Sequence, residues 1–355
     1  MTVMWVNLGF VYLFSFFSRY FISQPVTQVN YVKPNKFFIT LVIASLVMVA
    51  GLQKNIGDTY FYMHSFAVNE LTWQNIDYTG DFGFNIYQMI LQGFSTEPQI
   101  LIFTTALITN LLIVIVLYKY SRIIELSIYV YIASGMFTTS MNGIRQYLAA
   151  AIVFTATKYL LDGNFKKYFL VILFASTIHK SALVLLPIYF IVRREAWTQV
   201  TFALLGFAIL IVIGFNEFSQ ILFSAISDSQ YGQYSEFEEG GASKIRVLVN
   251  AVPVIIAFLG REKLRQLWPK SDYIVNLSII SVIFMVIASQ NWIFARFNIY
   301  FGLYNLILLS WVVKLFHKKH ERVIYYGILV CYFLYFYYEH VIGFNLIYKS
   351  DYINL

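Results

Sequence analysis

Long apolar runs separated by short polar breaks set the frame of this chain. A helix that crosses a bilayer needs about 20 apolar residues, and shorter ones are tolerated inside a bundle. Segments of that kind fit at 4–22, 37–53, 99–118, 124–141, 144–161, 166–178, 181–192, 199–215, 245–260, 272–289, 293–314 and 323–343. The pattern predicts an all-α, polytopic transmembrane bundle of about twelve spans. Residues 1–355 read as one integral membrane domain, with no separate soluble domain. Two polar stretches with amphipathic pieces interrupt it, a long outer loop at 53–98 and a second at 216–243. The two segments between Phe165 and Val192 are short. They fit either two half-helices that meet at His179 or one long tilted helix. Met4 to Ile22 lacks a basic leader and a small-residue cleavage site, so it is expected to be a retained membrane helix.

Loop charges give the orientation. Basic residues gather at Lys33 and Lys36, Lys119 and Arg122, Lys166 and Lys167, and Arg193 and Arg194. They gather again at Arg261, Lys263, Arg265 and Lys270, and at Lys314, Lys318, Lys319 and Arg322. The predicted alternation puts every group on the cytoplasmic side and both termini outside. The opposite loops are acidic. Asp58, Glu70, Asp77, Asp81 and Glu97 accompany a single Lys54, and Glu217, Asp228, Glu236, Glu238 and Glu239 accompany no Lys or Arg. Gly240-Gly241 is expected to hinge this second loop as a mobile lid.

Against that background four cations stand out. Arg145, Lys180, Arg246 and Arg296 each lie at or just inside the outer end of an apolar segment, where Lys and Arg are normally depleted. Charge at the lip of a membrane is costly and marks a site. Several cations on one side point to an anionic, membrane-borne ligand, with a lipid pyrophosphate first among the candidates.

Composition narrows the alternatives. Charged residues make up 12% of the chain, against about 25% in a soluble domain, which makes this a membrane protein. The net charge of +7 is accounted for by basic cytoplasmic loops, so no nucleic-acid partner is expected. Cys331 is the only cysteine, which rules out an internal disulfide, a thiolate cluster and an iron–sulfur site. His64, His179 and His340 lack ligand spacing with one another, so no metal site is expected. There is no Walker loop, dinucleotide glycine fingerprint, His-Glu-x-x-His or Gly-x-Ser-x-Gly, and no cofactor is expected.

The stretch from Asn142 to Tyr189 carries the most chemistry. It opens with Asn142-Gly143-Ile144-Arg145-Gln146 and continues into Ala149-Ala150-Ala151. It then reaches His179-Lys180-Ser181-Ala182, followed by Pro187 and Tyr189. A planar guanidinium at Arg145 suits phosphate oxygens; the alternative is an arginine that snorkels or pairs with Asp58 or Asp81. His179 can take a proton from a sugar hydroxyl or donate a hydrogen bond to a phosphate, although a lone membrane histidine is more often a packing residue. Asp58, Asp81 and Glu97 are candidate bases, or plainly solvated loop acids. Asp58 is the strongest of them, because it follows a glycine and precedes Tyr60 and Tyr62 at the membrane edge. Those tyrosines, with Trp73, Tyr78 and Trp292, can stack on sugar rings or serve as an interfacial belt.

The Arg-Gln helix with its small residues and the His-Lys-Ser-Ala box resemble the EpsG family of bacterial exopolysaccharide membrane proteins, relatives of the Wzy polysaccharide polymerases. Gly57-Asp58-Thr59-Tyr60-Phe61-Tyr62, Asp81-Phe82-Gly83-Phe84 and Phe294-Ala295-Arg296-Phe297 match further parts of that pattern. Asp81 stands where glutamate is commoner in the family. The resemblance covers most of the chain. It implies a multi-pass glycosyltransferase of the bacterial cytoplasmic membrane that joins undecaprenyl-pyrophosphate-linked repeat units on the outer face. Other exopolysaccharide synthesis and export proteins are its implied partners. On this reading His179, Asp58 and Arg145 are the catalytic candidates. Arg145, Lys180, Arg246, Arg296, Tyr60, Tyr62 and Asp81 are the candidates for pyrophosphate and sugar binding. Four cations can stand in for a divalent ion, so metal independence is expected. Two other classes fit the sequence: a lipid-linked-glycan flippase or exporter, and a non-catalytic scaffold of a synthesis complex. A flippase would carry charge through the depth of several helices, whereas here the charges cluster at one end. An intramembrane histidine also occurs in membrane acyltransferases, but no companion acyl-donor motif is present.

Overall fold

The computed structural model describes residues 1–21, 33–225 and 240–353. Over these residues the chain is all-helical, with 78% helix and no strand. Its helices gather into two compact units, one of Met1–Leu183 with Leu309–Leu355 and one of Val184–Leu308.

Unit 1 holds α1 (Thr2–Tyr20), α2 (Lys36–Gly51), α3 (Thr59–Val68), α4 (Phe82–Gln92) and α5 (Gln99–Tyr120). It continues with α6 (Ile124–Ala133), α7 (Met136–Asn142), α8 (Ile144–Thr155), α9 (Thr157–Asp162) and α10 (Phe165–Ile178). The centre is the packing of α1 on α2 and α6, and of α5 on α2 and α8. Small residues set these distances. A Cβ on Gly51 would lie 2.7 Å from the Phe103 ring. Ala149, Ala150 and Ala151 are buried, as close helix packing in a membrane requires. Unit 2 holds α11 (Leu185–Val192), α12 (Gln199–Ile213), α13 (Phe215–Ala225), α14 (Lys244–Leu259), α15 (Arg261–Leu267), α16 (Ser271–Ala288) and most of α17 (Ala295–Val312). The chain then returns to unit 1 with α18 (Lys318–Tyr337).

Each apolar segment expected from the sequence is helical over most of its length in the described residues. Breaks cut several of them short. Gly135, at φ 85°, divides α6 from α7. His179, in extended backbone at φ −152° and ψ 115°, ends α10 and leads into a 3-10 turn over Lys180–Val184, so 166–192 is two pieces. By length and composition, Gln99–Tyr120, Ser271–Ala288 and Trp292–Leu315 are suited to cross a membrane. Gln199–Ile213 with Phe215–Ser224, bent by 93° at Gly214, makes a fourth if it is one span. That is fewer than the count expected from apolar runs alone, because breaks leave several pieces shorter than a bilayer crossing, while α1 and α18 are long enough but less apolar.

The two ends of unit 1 differ in chemistry. α5, with 22 residues, separates them by about 33 Å. At one end Arg19 meets Glu125 at 2.6 Å and Lys314 meets Glu321 at 2.5 Å. There Trp311 Nε1 also donates to the carbonyl of Tyr120 at the foot of α5. At the other end Gln99 Nε2 donates to the Gly51 carbonyl at 2.6 Å. The C-terminal segment returns to this second end: Lys54 N donates to the Lys349 carbonyl at 3.1 Å, and Lys349 N donates to Asn55 Oδ1 at 2.8 Å. Lys119, Arg122 and Lys314 belong to the first end.

Candidate functional site

Two turns build the second end of unit 1. The first starts at Gln53, whose buried side chain accepts from the backbone N–H groups of Asn55 and Ile56 at 3.0 and 2.9 Å and donates to Thr59 Oγ1 at 2.7 Å. This closes the chain into a tight loop before α3. Gly57 sits at φ 55°, a left-handed conformation that glycine adopts without penalty. A Cβ there would fall 2.0 Å from Asn142 Oδ1, and that same oxygen accepts from Asp58 N at 2.8 Å. The Asp58 carboxyl is exposed at the start of α3, beside the α7–α8 junction.

The second turn delivers Asp81. Its carboxyl is buried, 6% exposed, and both oxygens are engaged. Oδ2 lies 3.3 Å from Nε of Arg145, whose side chain stays 39% exposed. Oδ1 accepts from Lys180 N at 2.9 Å. The Lys180 ammonium reaches back to the Thr79 carbonyl. A Cβ on Gly83 would lie 2.3 Å from Thr177 Oγ1, so glycine is what lets α4 approach the end of α10. Asp77 shapes the turn before it. Its carboxyl is held below the usual range, chiefly by hydrogen bonds from the Thr79 hydroxyl and N–H, with Thr79 N and Oγ1 at 2.8 and 2.6 Å.

His179 is buried beside Ser181. Its Nδ1 lies 2.8 Å from Ser181 Oγ and accepts from Ser181 N at 3.3 Å. A backbone N–H can only donate, so Nδ1 is the acceptor and the proton of the neutral ring sits on Nε2. His340 contrasts with it. That ring is fully buried, with Nδ1 3.0 Å from the Phe336 carbonyl and Nε2 2.7 Å from Thr138 Oγ1, a packing histidine with both nitrogens satisfied.

The EpsG family model matches residues 36–350, most of the chain. The chain belongs to the EpsG family. Comparison with curated proteins and with solved structures finds no match. Membership makes this an exopolysaccharide-related membrane protein.

In the EpsG-family chain the sequence candidates divide into groups. Arg145, Asp81, Lys180 and His179 come together in unit 1, with Asp58 held at the neighbouring turn. Tyr60 and Tyr62 part company. Tyr60 is exposed and stacks on His64 at 5.9 Å, while Tyr62 packs edge-on against Phe84 at 6.1 Å, where Phe84 is part of the buried core. Glu97, Trp73 and Tyr78 lie on the exposed loop. Arg246 and Arg296 belong to unit 2. Arg246 lies in the first turn of α14, where Ser243 caps the helix, and the Arg296 guanidinium lies over the Trp292 ring at 5.0 Å.

Arg145, Arg246 and Arg296 share an electrostatic oddity. Each occupies the first turn of its helix, α8, α14 or α17, the positive end of the macrodipole, where a cation is disfavoured and an anion is welcome.

The expected glycine hinge is corrected at Gly241. A Cβ there would meet the Ser289 carbonyl at 1.8 Å, and Ala242 N donates to Ala288 O at 2.7 Å. Gly241 serves a close approach, so the entry to α14 is fastened. The first part of the expected loop is helical in α13, and residues 226–239, with Asp228, Glu236, Glu238 and Glu239, lie outside the described residues. Sequence reasoning missed Gln53, Thr59 and Asn142. Asn142 opens the Asn142–Tyr189 stretch and Thr59 lies within the Gly57–Tyr62 match, which were their signals; Gln53 had none.

Proposed function

We propose that this chain is an exopolysaccharide polymerase that joins undecaprenyl-pyrophosphate-linked repeat units on the outer face of the bacterial cytoplasmic membrane. The observation that carries the reading is the placement of Arg145. A half-exposed guanidinium tops the first turn of α8, at the end of unit 1 away from the basic loops, with Lys180 N bonded to the same carboxylate and His179 directly before it in the chain. Membership of the EpsG family supports an exopolysaccharide-related role, and the lipid-linked substrate is part of the proposal. The reading expects about twelve passes, several of them made from short or broken helices.

In the reaction the bond between the anomeric carbon of the donor glycan and its pyrophosphate breaks. A new bond forms from an acceptor hydroxyl on the non-reducing end of an incoming repeat unit. The hydroxyl proton passes to Asp58 as that bond forms. Undecaprenyl pyrophosphate departs, and stabilising its charge is the main electrostatic task. Arg145 takes that role at the head of α8. His179, protonated on Nε2, donates a hydrogen bond to a phosphate oxygen. Tyr60 offers an exposed face to a sugar ring. In unit 2, Arg246 and Arg296 each offer a cation and a helix N-terminus to an anion. The leaving group is already activated, so no nucleotide enters the step.

The test uses full-length protein reconstituted with lipid-pyrophosphate-linked repeat units, with product length read on a gel. Wild type makes a ladder that EDTA leaves unchanged, and folded Arg145→Ala leaves single repeats. A wild type that carries lipid-linked glycan across the bilayer without lengthening it would overturn the polymerase reading in favour of a flippase. Arg145→Ala with full ladder output would overturn the assignment of the site.

A further inference from the structure

We propose that Asp81 is a positioning residue that sets Arg145 and the His179 break at once, and is not itself a sugar or phosphate contact. This rests on the polymerase reading for its consequence in catalysis, though not for its geometry. A carboxylate exposed on an outer loop would be free to meet a sugar. Asp81 is buried, and its two oxygens go to different elements: Oδ2 to Arg145 Nε at 3.3 Å, Oδ1 to Lys180 N at 2.9 Å. The first contact opposes the repulsion between the arginine and its own helix dipole. The contact is an ion pair without a hydrogen bond at Nε, so charge holds the guanidinium beside Asp81 and leaves its Nη pair to offer a phosphate bidentately. The second contact caps the 3-10 turn that follows His179, the turn whose Ser181 N–H selects the ring tautomer. Two further fastenings hold the loop that carries Asp81: the Lys180 ammonium on Thr79 O, and Gly83 against Thr177, where a Cβ would lie at 2.3 Å.

Asp81→Asn and Asp81→Ala separate the two jobs. The amide of Asp81→Asn still accepts from Lys180 N but carries no charge for Arg145; the alanine loses both. Full-length protein in lipid nanodiscs is read three ways. Hydrogen exchange at the Lys180 amide stays slow in wild type and Asp81→Asn, and speeds up about tenfold in Asp81→Ala. Arginine-selective modification of Arg145 by phenylglyoxal speeds up in both variants. In the polymer assay Asp81→Asn loses about 100-fold in kcat with KM for the lipid-linked donor nearly unchanged, and Asp81→Glu recovers part of it. Unchanged exchange in Asp81→Ala, or unchanged Arg145 reactivity in Asp81→Asn, overturns the proposal. So does a rise in KM at constant kcat, which would make Asp81 a substrate contact. If wild type makes no polymer, the polymerase reading fails, while the exchange and modification readouts still decide the role of Asp81. If Asp81→Ala does not fold, phenylglyoxal reactivity in Asp81→Asn and Asp81→Glu decides it.

Discussion

Asn142 Oδ1 accepts a hydrogen bond from Asp58 N at 2.8 Å and occupies the space that a Cβ on Gly57 would need. The turn carrying Asp58 is therefore built against the junction that launches Arg145. Gly57→Ala meets two obstacles, a left-handed backbone and the Asn142 side chain. The first alone costs about 1–2 kcal/mol. Thermal unfolding of the purified protein should show a clear drop for Gly57→Ala. Asn142→Ala should cost only about 1 kcal/mol, since water replaces the lost acceptor at an exposed N–H. Its polymer output should nonetheless fall about tenfold or more, because Asp58 loses its tether. Full output from a folded Asn142→Ala protein would leave Asp58 without a positioned role.

The tautomer of His179 makes a second prediction. With Nδ1 accepting from Ser181 N, the ring presents Nε2–H as a donor. Glutamine can present an N–H at a similar reach but cannot accept a proton as a base. His179→Gln should therefore keep part of the polymer output while His179→Ala loses it, by about 10²-fold for the loss of one charge-stabilising donor. Equal loss in both variants would instead make His179 the general base.

Much of this was legible from residue order alone. The helices follow the apolar runs; Arg145 and Lys180 were singled out because cations at outer helix ends oppose the loop charge rule, and His179 because two short apolar segments meet there. The pairing of Arg145 with Asp81 was one of the alternatives open in the sequence, but the other meetings were not. Asp81 and Lys180 are 99 positions apart, and nothing local to either announces the bond between them. Tyr60 and Tyr62 look equivalent in sequence, yet one helical turn cannot aim both outward, so Tyr62 packs on Phe84. Gly241 reads as freedom beside Gly240, but its bare backbone is needed for contact with Ser289. The span count depends on where helices break. The break at His179 shows in the sequence as a polar gap between two short apolar runs, whereas the one at Gly135 falls inside the run 124–141 and leaves no mark in hydropathy.

At the basic end, Glu125 is fully buried and Arg19 is its partner at 2.6 Å. Removing one member of a buried ion pair leaves an uncompensated charge, which costs about 3–5 kcal/mol. Arg19→Ala should therefore destabilise more than Glu125→Gln, which removes the buried charge itself. Arg19 is partly exposed and can turn to water after Glu125→Gln. Thermal unfolding of the two variants and their combination checks this. The double variant should be closer to Glu125→Gln than to the sum of the two losses. Strict additivity would show that the pair contributes nothing as a pair.

The orientation of the site can be tested with a single-cysteine chain, because Cys331 is the only native thiol and Cys331→Ala clears the background. Lys54 and Lys349 lie at the Asp58 end of unit 1 and are joined by a backbone hydrogen bond at 3.1 Å. Lys119 and Lys318 belong to the basic groups at the other end of unit 1. Lys54→Cys and Lys349→Cys should each react with a membrane-impermeant maleimide in intact cells, and together they should cross-link with a short bifunctional reagent. Lys119→Cys and Lys318→Cys should react only after the membrane is opened, as the positive-inside rule requires. The reverse pattern would turn Arg145, Asp58 and His179 toward the cytoplasm. The site would then meet lipid-linked units before they are flipped, and a polymerase of the outer leaflet would be the wrong assignment for it.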